Sequence, residues 1–587
     1  MDFSRASAPT RAAARLLEVG LLLVIPLVFY RGFAEQFTFA KLALTEILVL
    51  GGAALLVLSW ALGQVRWPRS FPLGPPLGLL SVAVVCSCLA SPLPAFSFAE
   101  ALSFLCGPLW FLFVAATDKG EVRVRWLAAL VTTAGAVVAL IAVMQWTGHD
   151  PLQFGGYHVE WGALRRSMRL YSTFGNPNFV AGYLIGAIFL ALALTAAART
   201  RAIRVIGSAA VLVMFAAIIG TRSRGAWVGL AAGLLVARVV WKRKASETRP
   251  AAEDNAVSAI QLGGWILPAG LLAFLPDLTQ RLQALAIHLQ GRFFLARASW
   301  PMFREHPLFG SGWGTFQLRF LDLQARFLEA HPEDLRHWTH MRQLHNDPLQ
   351  TLLEAGALGL VAFGWLLWSY GREVRSVAKC APPARLWLGA SAGGVTAILA
   401  NSFFNFQFAV PPTLILLFTL MAFLELLRPQ DPEPAEPTRA DTSGGKMPWA
   451  RALAGVAGVA LAGLLMFQVS RRIQAELALG RGLERERQGD ASLAARYFRT
   501  GIDRMPDEGR LHYGLARALY MQNKNAEALA EALRAERTVT DSHLEVLKAR
   551  IVEQLGFRGP ALGLYRHALW LDPTLKSVPG DIERFQE

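Results

Sequence analysis

The chain has 587 residues, of which 53% are hydrophobic and only 17% charged, with a mean hydropathy of +0.36. Soluble domains carry about 25% charged residues, disorder needs low hydrophobicity, and four cysteines in this length cannot make a disulfide scaffold. What remains is a chain that crosses a membrane many times. The 58 Lys and Arg against 43 Asp and Glu leave a net +15, which in a soluble protein would suggest nucleic acid. In a membrane protein the same excess marks cytoplasmic loops and membrane lipid, so no nucleic-acid partner is expected.

Apolar runs of bilayer-crossing length, about 17–25 residues, fall near 16–33, 42–62, 73–90, 98–116, 126–146, 177–197, 204–220, 225–240, 259–276, 350–370, 385–403, 408–427 and 450–469. The expected fold is all-α, a polytopic bundle of about 12–13 transmembrane helices. The runs 204–220 and 225–240 are short enough to be one broken hairpin. The first run reads as a span and not as a cleaved leader, because no small-residue cleavage site follows it.

Lys and Arg alternate between loops, as the positive-inside rule requires. Inside connections carry Arg66 and Arg69; Lys119, Arg123 and Arg125; Arg199, Arg201 and Arg204; Arg238 and Lys242 to Lys244; and Arg372, Arg375, Lys379 and Arg385. The outside connections 91–97 and 404–407 carry none, and 34–41 carries only Lys41. This alternation puts about 147–176 and 277–349 outside, together with the C-terminal region. The expected division is a transmembrane domain over 1–427 with a large loop at 277–349, a cytoplasmic linker rich in Pro, Asp and Glu at 428–449, a further transmembrane helix at 450–469, and a soluble tail over 472–587.

The tail repeats itself. Ala494, Phe498, Gly501 and Pro506 are followed by Ala528, Ala532 and Ala535, then by Ala561, Tyr565, Ala568 and Pro573. The aromatic and proline positions recur at two units of about 34 residues, the period of tetratricopeptide-like helix pairs. About three stacked units are expected. Their concave face could take a protein partner; a packing or dimerisation role is the plainer alternative.

All eleven histidines fall in segments assigned outside, where a base working near neutral pH would be sought. His331, His337, His340 and His345 invite a metal reading, but their spacing fits neither HExxH nor a paired Cys/His site, and no metal is expected. Several arginines also lie outside, against the charge rule: Arg165, Arg166 and Arg169 before the span at 177, Arg222 and Arg224 in the turn GTRSRG, and Arg292, Arg297 and Arg304 in the large loop. A guanidinium at a membrane interface suits a pyrophosphate, because it is always charged and binds bidentately; snorkelling to headgroups is the plainer reading. Lys41, Glu46 and Glu100 in spans could form a relay or simply pair. There is no phosphate-binding loop of the GxxxxGK[ST] type and no D-x-D pair. Cys86, Cys88 and Cys106 lie in spans and Cys380 inside, so no outside disulfide is expected.

Three stretches taken together resemble the O-antigen ligase and polymerase superfamily: 172-STFGNPNFVAGYL-184, 221-TRSRGAWVGL-230, and a loop from 291-GRFFLARASWPMFREHPLFGSGWGTF-316 to 344-LHNDPLQTLLEAGALGL-360. The resemblance covers about residues 16–427. It implies a multi-pass enzyme of the bacterial inner membrane, with the large loop and repeats periplasmic. Such enzymes move a glycan from an undecaprenyl-pyrophosphate carrier to an acceptor hydroxyl on a second glycan, lipid A core or protein. They need no metal, nucleotide or other cofactor. Carried over residue by residue, the resemblance implies His345 as the catalytic base. It implies Arg224 and Arg292 as the pyrophosphate clamp, with Arg222 and Arg169 as further substrate-binding candidates. Glu354, about two and a half turns beyond His345, is expected to lie too far away to orient it. Rival readings are a protein O-oligosaccharyltransferase, a transporter of lipid-linked glycans, and a scaffold acting through the repeats.

Overall fold

The computed structural model describes residues 8–65, 71–116, 118–152, 170–241, 278–381, 384–429 and 449–585. The expected span at 259–276, the residues Arg165, Arg166 and Arg169, and most of the linker at 428–449 lie outside the described residues. Among the described residues the structure is helical throughout, with no strand. The first ten helices are α1 (Ala8–Val19), α2 (Thr38–Ala61), α3 (Gly74–Ala90), α4 (Pro94–Ala115), α5 (Glu121–Thr147), α6 (Pro177–Ala196), α7 (Arg201–Thr221), α8 (Arg224–Trp241), α9 (Leu278–Glu305) and α10 (Phe316–Ala330). After them come α11 (Asp347–Cys380), α12 (Arg385–Ser402), α13 (Pro411–Leu427) and α14 (Trp449–Arg487). Eight of these are long and apolar enough to cross a membrane, and α3 and α13 are shorter apolar helices. The chain is therefore a helical membrane bundle.

Two sequence expectations shift. The first run, placed at 16–33, is helical only to Val24, where a π-helical turn over Gly20–Val24 ends ahead of Pro26; proline lacks the N–H a continuing helix needs. The runs at 204–220 and 225–240 are two separate helices, 21 and 18 residues long. They are joined only through Arg222 and Ser223, with Arg222 in the left-handed conformation (φ 54°).

Helix α6 runs through the middle of the bundle. It is apolar all round, and nearly every side chain from Val180 to Ala196 is buried, as expected for a helix with no solvent face. Its start is set locally: the Asn176 side chain accepts from Asn178 N at 2.8 Å, and Pro177 comes directly after the cap.

Helix α8 meets α12 along a stripe of small residues. A Cβ on Gly229 would collide with the Ala397 carbonyl, and one on Gly233 with the carbonyl of Gly393. Gly225, Gly229 and Gly233 recur every four residues, so one face of α8 lies directly on the α12 backbone. This contact sets where the N-terminus of α8, and with it Arg224, comes to rest.

The tail is built from α15 (Ala491–Arg504), α16 (Gly509–Met521), α17 (Asn525–Ala535), α18 (Ser542–Gln554), α19 (Arg558–Leu571) and α20 (Val578–Glu583). The small and aromatic residues read as a repeat are its core: Ala494, Phe498, Ala528, Ala532, Ala535, Ala561, Tyr565 and Ala568 are all fully buried. They fall on alternate helices, α15, α17 and α19. The first partner helix is the end of α14, which runs unbroken for 39 residues from its apolar segment into the first repeat. The expected division near 470 thus falls inside one helix. An ion pair, Arg472 to Glu46 at 3.1 Å, ties α14 to α2 at that level, so Glu46 is a structural partner.

Candidate functional site

The large loop folds back on α11 through its backbone. Ser311 N donates to Leu353 O (3.0 Å), Gly312 N to Glu354 O (3.1 Å), Ala357 N to Pro307 O (2.8 Å) and Leu358 N to Leu308 O (3.2 Å). For this to happen α11 must open, and it does so at Gly356, whose φ of 68° and ψ of −170° are non-helical. The approach is too close for side chains. A Cβ on Gly310 would collide with the Glu354 carbonyl, and one on Gly356 with the Leu308 carbonyl. Gly310 also has a positive φ (75°), which an L side chain rarely adopts. The stretches HPLFGSGWGTF and LEAGALGL are therefore two sides of one backbone joint.

That joint presents the segment holding His345. Asn346 caps α11 by accepting from Leu349 N at 3.0 Å. The buried Gln350 accepts from Leu344 N at 3.0 Å and donates to Glu354 at 3.3 Å, and Glu354 also accepts from Phe316 N at 3.1 Å. Glu354 does not reach His345. It acts on the residue before His345 through Gln350, a relay that helical spacing alone does not suggest. His345 itself is held in the left-handed region (φ 57°), an uncommon state for a residue with a Cβ.

Arg292 and His345 come together. Arg292 donates from Nη1 to His345 O (3.1 Å) and Phe403 O (3.3 Å), and from Nη2 to Phe404 O (2.7 Å). Its guanidinium lies 5.3 Å from the Phe404 ring centroid. The His345 ring meets Phe406 edge to face at 4.7 Å, and Phe406 in turn meets Phe179 of the NPNF entrance to α6 at 5.1 Å. Asp347, at the start of α11, accepts from Gln407 N at 2.7 Å and closes the same turn. Gly225 sits against Asn401 Oδ1 (2.6 Å from a Cβ there) and Phe404 Cβ (2.8 Å), so Arg224 begins its helix beside this turn.

The hub is therefore the connection 403–408 between α12 and α13. In the sequence its lack of charge says only which side of the membrane it faces, and its work here runs mainly through backbone carbonyls and N–H groups. Its one legible signal is four phenylalanines within six residues, at 403, 404, 406 and 408.

His345 is half-buried, and its ring nitrogens make no hydrogen bond with the described residues. Burial, and then the neighbouring Arg292 charge, lower its pKa to about 4, so the imidazole is neutral at pH 7 and has a free lone pair. Arg292 uses three of its five N–H groups on carbonyls, leaving two for an oxyanion. Arg224 and Arg222 are exposed. Arg169 lies outside the described residues.

The other candidates are not gathered here. Arg297 faces Asp334 (3.6 Å) and the Phe327 ring. His331 stacks on Phe327 at 4.3 Å, and His337 accepts from Arg336 Nε at 3.2 Å. Among the described residues no three of His, Cys, Asp or Glu converge as metal ligands would. Lys41 is buried and donates to the carbonyls of Phe37 (3.2 Å) and Thr173 (2.7 Å), which fastens the start of α2 to the segment ahead of α6.

The class these features define is a helical membrane protein whose broken span presents an imidazole and a guanidinium at one end, with a stacked helical tail on the same face. Residues 209–364 match the family model described as O-antigen ligase, and residues 479–542 match that of a tetratricopeptide repeat. The membrane part thus contains a region similar to O-antigen ligases, and the tail a region similar to tetratricopeptide repeats. Stretches 221–230, 291–316 and 344–360 all lie inside the first match. No curated protein matches the chain.

Proposed function

We propose that the chain transfers a glycan from undecaprenyl pyrophosphate to an acceptor hydroxyl, of a second glycan or of lipid A core, at the periplasmic face of a bacterial inner membrane. The observation that carries this reading is the contact of Arg292 with His345: a cation with spare donors is held beside a neutral base at the mouth of a span. A sugar linked through pyrophosphate already has a good leaving group. The work left is to accept a proton and to balance charge on the departing oxygen.

In this reading His345 takes the acceptor O–H proton. The acceptor oxygen bonds to the anomeric carbon from the side opposite the carrier, and the carbon–oxygen bond to pyrophosphate breaks with inversion. Negative charge gathers on the leaving pyrophosphate, where Arg292 and Arg224 offset it. The donor also tunes the base. Arg292 lowers the His345 pKa, so a bound pyrophosphate that neutralises Arg292 raises the basicity of His345 when the acceptor is in place.

The test is reconstitution with a synthetic polyprenyl-pyrophosphate glycan, monitoring both free polyprenyl pyrophosphate and the transferred glycan. His345→Ala is expected to bind donor and to release both products far more slowly. Wild-type rates in that variant would remove the base assignment.

A further inference from the structure

The repeat tail lies against the outer loops at two places. Trp338 Nε1 donates to Leu571 O at 3.0 Å, Thr540 donates to Leu318 O at 2.7 Å, and Leu321, Ala325 and Leu571 form a small apolar cluster. On the other side Glu35, from the first outer loop, is the meeting point. Its carboxylate accepts from Arg342 Nη1 at 2.6 Å and lies 3.5 Å from Arg510 of α16. Its backbone N–H donates to Glu476 at 3.0 Å, and Arg510 binds Glu476 (3.1 Å) and Glu508 (2.7 Å) as well.

These contacts bracket one short segment. Trp338 and Arg342 precede His345 by seven and three residues, and both are held by the tail, one directly and one through Glu35. An isolated exposed ion pair contributes little. Here Glu35 is shared by two guanidinium groups, and its own backbone is fastened by Glu476, whose side chain is 2% exposed, so the bridge is a network and not a lone pair. The tail is in turn continuous with α14, which gives the clamp a fixed base.

We propose that the repeat tail is a positioning element for the His345 segment, acting through the Arg510–Glu35–Arg342 bridge. Glu35 is a positioning residue in this scheme, because it touches neither the imidazole nor Arg292 in any described contact. The proposal rests on the reading of His345 as the base. Its consequence is that the tail takes part in each turnover of its own chain, apart from any partner its repeats bind.

The experiment uses the full chain in lipid, with Glu35→Ala, Arg342→Ala, Arg510→Ala and the double variants. Glu35→Gln, which keeps the reach of the side chain without its charge, serves if Glu35→Ala inserts poorly. Amide hydrogen exchange over 338–345 is expected to speed up about tenfold in each single variant. With the polyprenyl-pyrophosphate donor, kcat is expected to fall about tenfold while KM changes less than about twofold, and Glu35→Ala with Arg342→Ala is expected to cost little more than either alone. Unchanged exchange over 338–345, faster exchange with unchanged kcat, or additive losses would each overturn the proposal. The exchange arm does not depend on turnover, so a chain that transfers no glycan would remove the function reading while leaving the clamp itself open to a yes or no.

Discussion

The large loop before α11 and the repeat tail touch one another, yet they are held by different means. The loop is joined to α11 backbone to backbone, with Gly310 and Gly356 at points where a Cβ would collide with a carbonyl. The tail is held by side chains, with Ala528, Ala532 and Tyr565 buried between helices in a regular order. A backbone joint allows one residue type at each contact and sets the position of the segment attached to it. A stack of small and aromatic residues tolerates more change and gives less precision. The candidate site is attached to the first kind of structure, and the repeat tail is of the second.

The largest expected effect tests the site that the joint presents. His345→Ala should lower glycan transfer by about 10²- to 10⁴-fold with normal insertion, measured by product formation in reconstituted membranes. Gly356→Ala should destabilise the loop–helix joint by about 3 kcal/mol or more, from the left-handed φ together with the collision; thermal unfolding in detergent measures it. A wild-type melting curve would break the comparison at its root. Arg292→Lys keeps the charge but loses the planar fork, and should cost about 10- to 100-fold in kcat/KM.

A finer test uses pH. A histidine in the ordinary range would lose its role as base below about pH 6.5. His345, held at about 4, stays neutral well below that, so the acid limb of kcat/KM should fall only as pH approaches about 4. Arg292→Gln removes one of the two lowering causes and should move the limb upward. The smallest effect sharpens the contrast from the tail side. Gly563 lies within α19 with open space where a Cβ would go, so Gly563→Ala should raise stability by about 0.5–1 kcal/mol, the opposite sign from Gly356→Ala.

Much of this is legible in residue order, for a physical reason in each case. Phe498 and Tyr565 recur at the helix-pair period, and a period is a local property that survives without neighbours. His345, Arg224 and Arg292 stand out as imidazole and charge in segments that the alternation of Lys and Arg assigns to the outside. The turn 403–408 gives almost no signal, because it offers Arg292 the carbonyls of Phe403 and Phe404, and every residue has a carbonyl. Helical spacing separates Glu354 from His345, and its link to Leu344 through Gln350 depends on α11 being folded. The four-residue spacing of Gly225, Gly229 and Gly233 is a visible hint of close helix packing, but not of the helix they pack against.

The sequence alone determined that the chain is a helical membrane protein with a repeat tail, and it singled out His345, Arg224 and Arg292 as candidates. Hydrophobic length, charge alternation and period are written in residue types, so they need no tertiary information. Only the tertiary structure decided that α11 opens at Gly356, that Arg292 meets His345 over the 403–408 turn, and that the tail rests on the segment leading to His345. Those contacts join residues far apart in the chain, often through backbone atoms common to every residue, and no pattern of side chains records them.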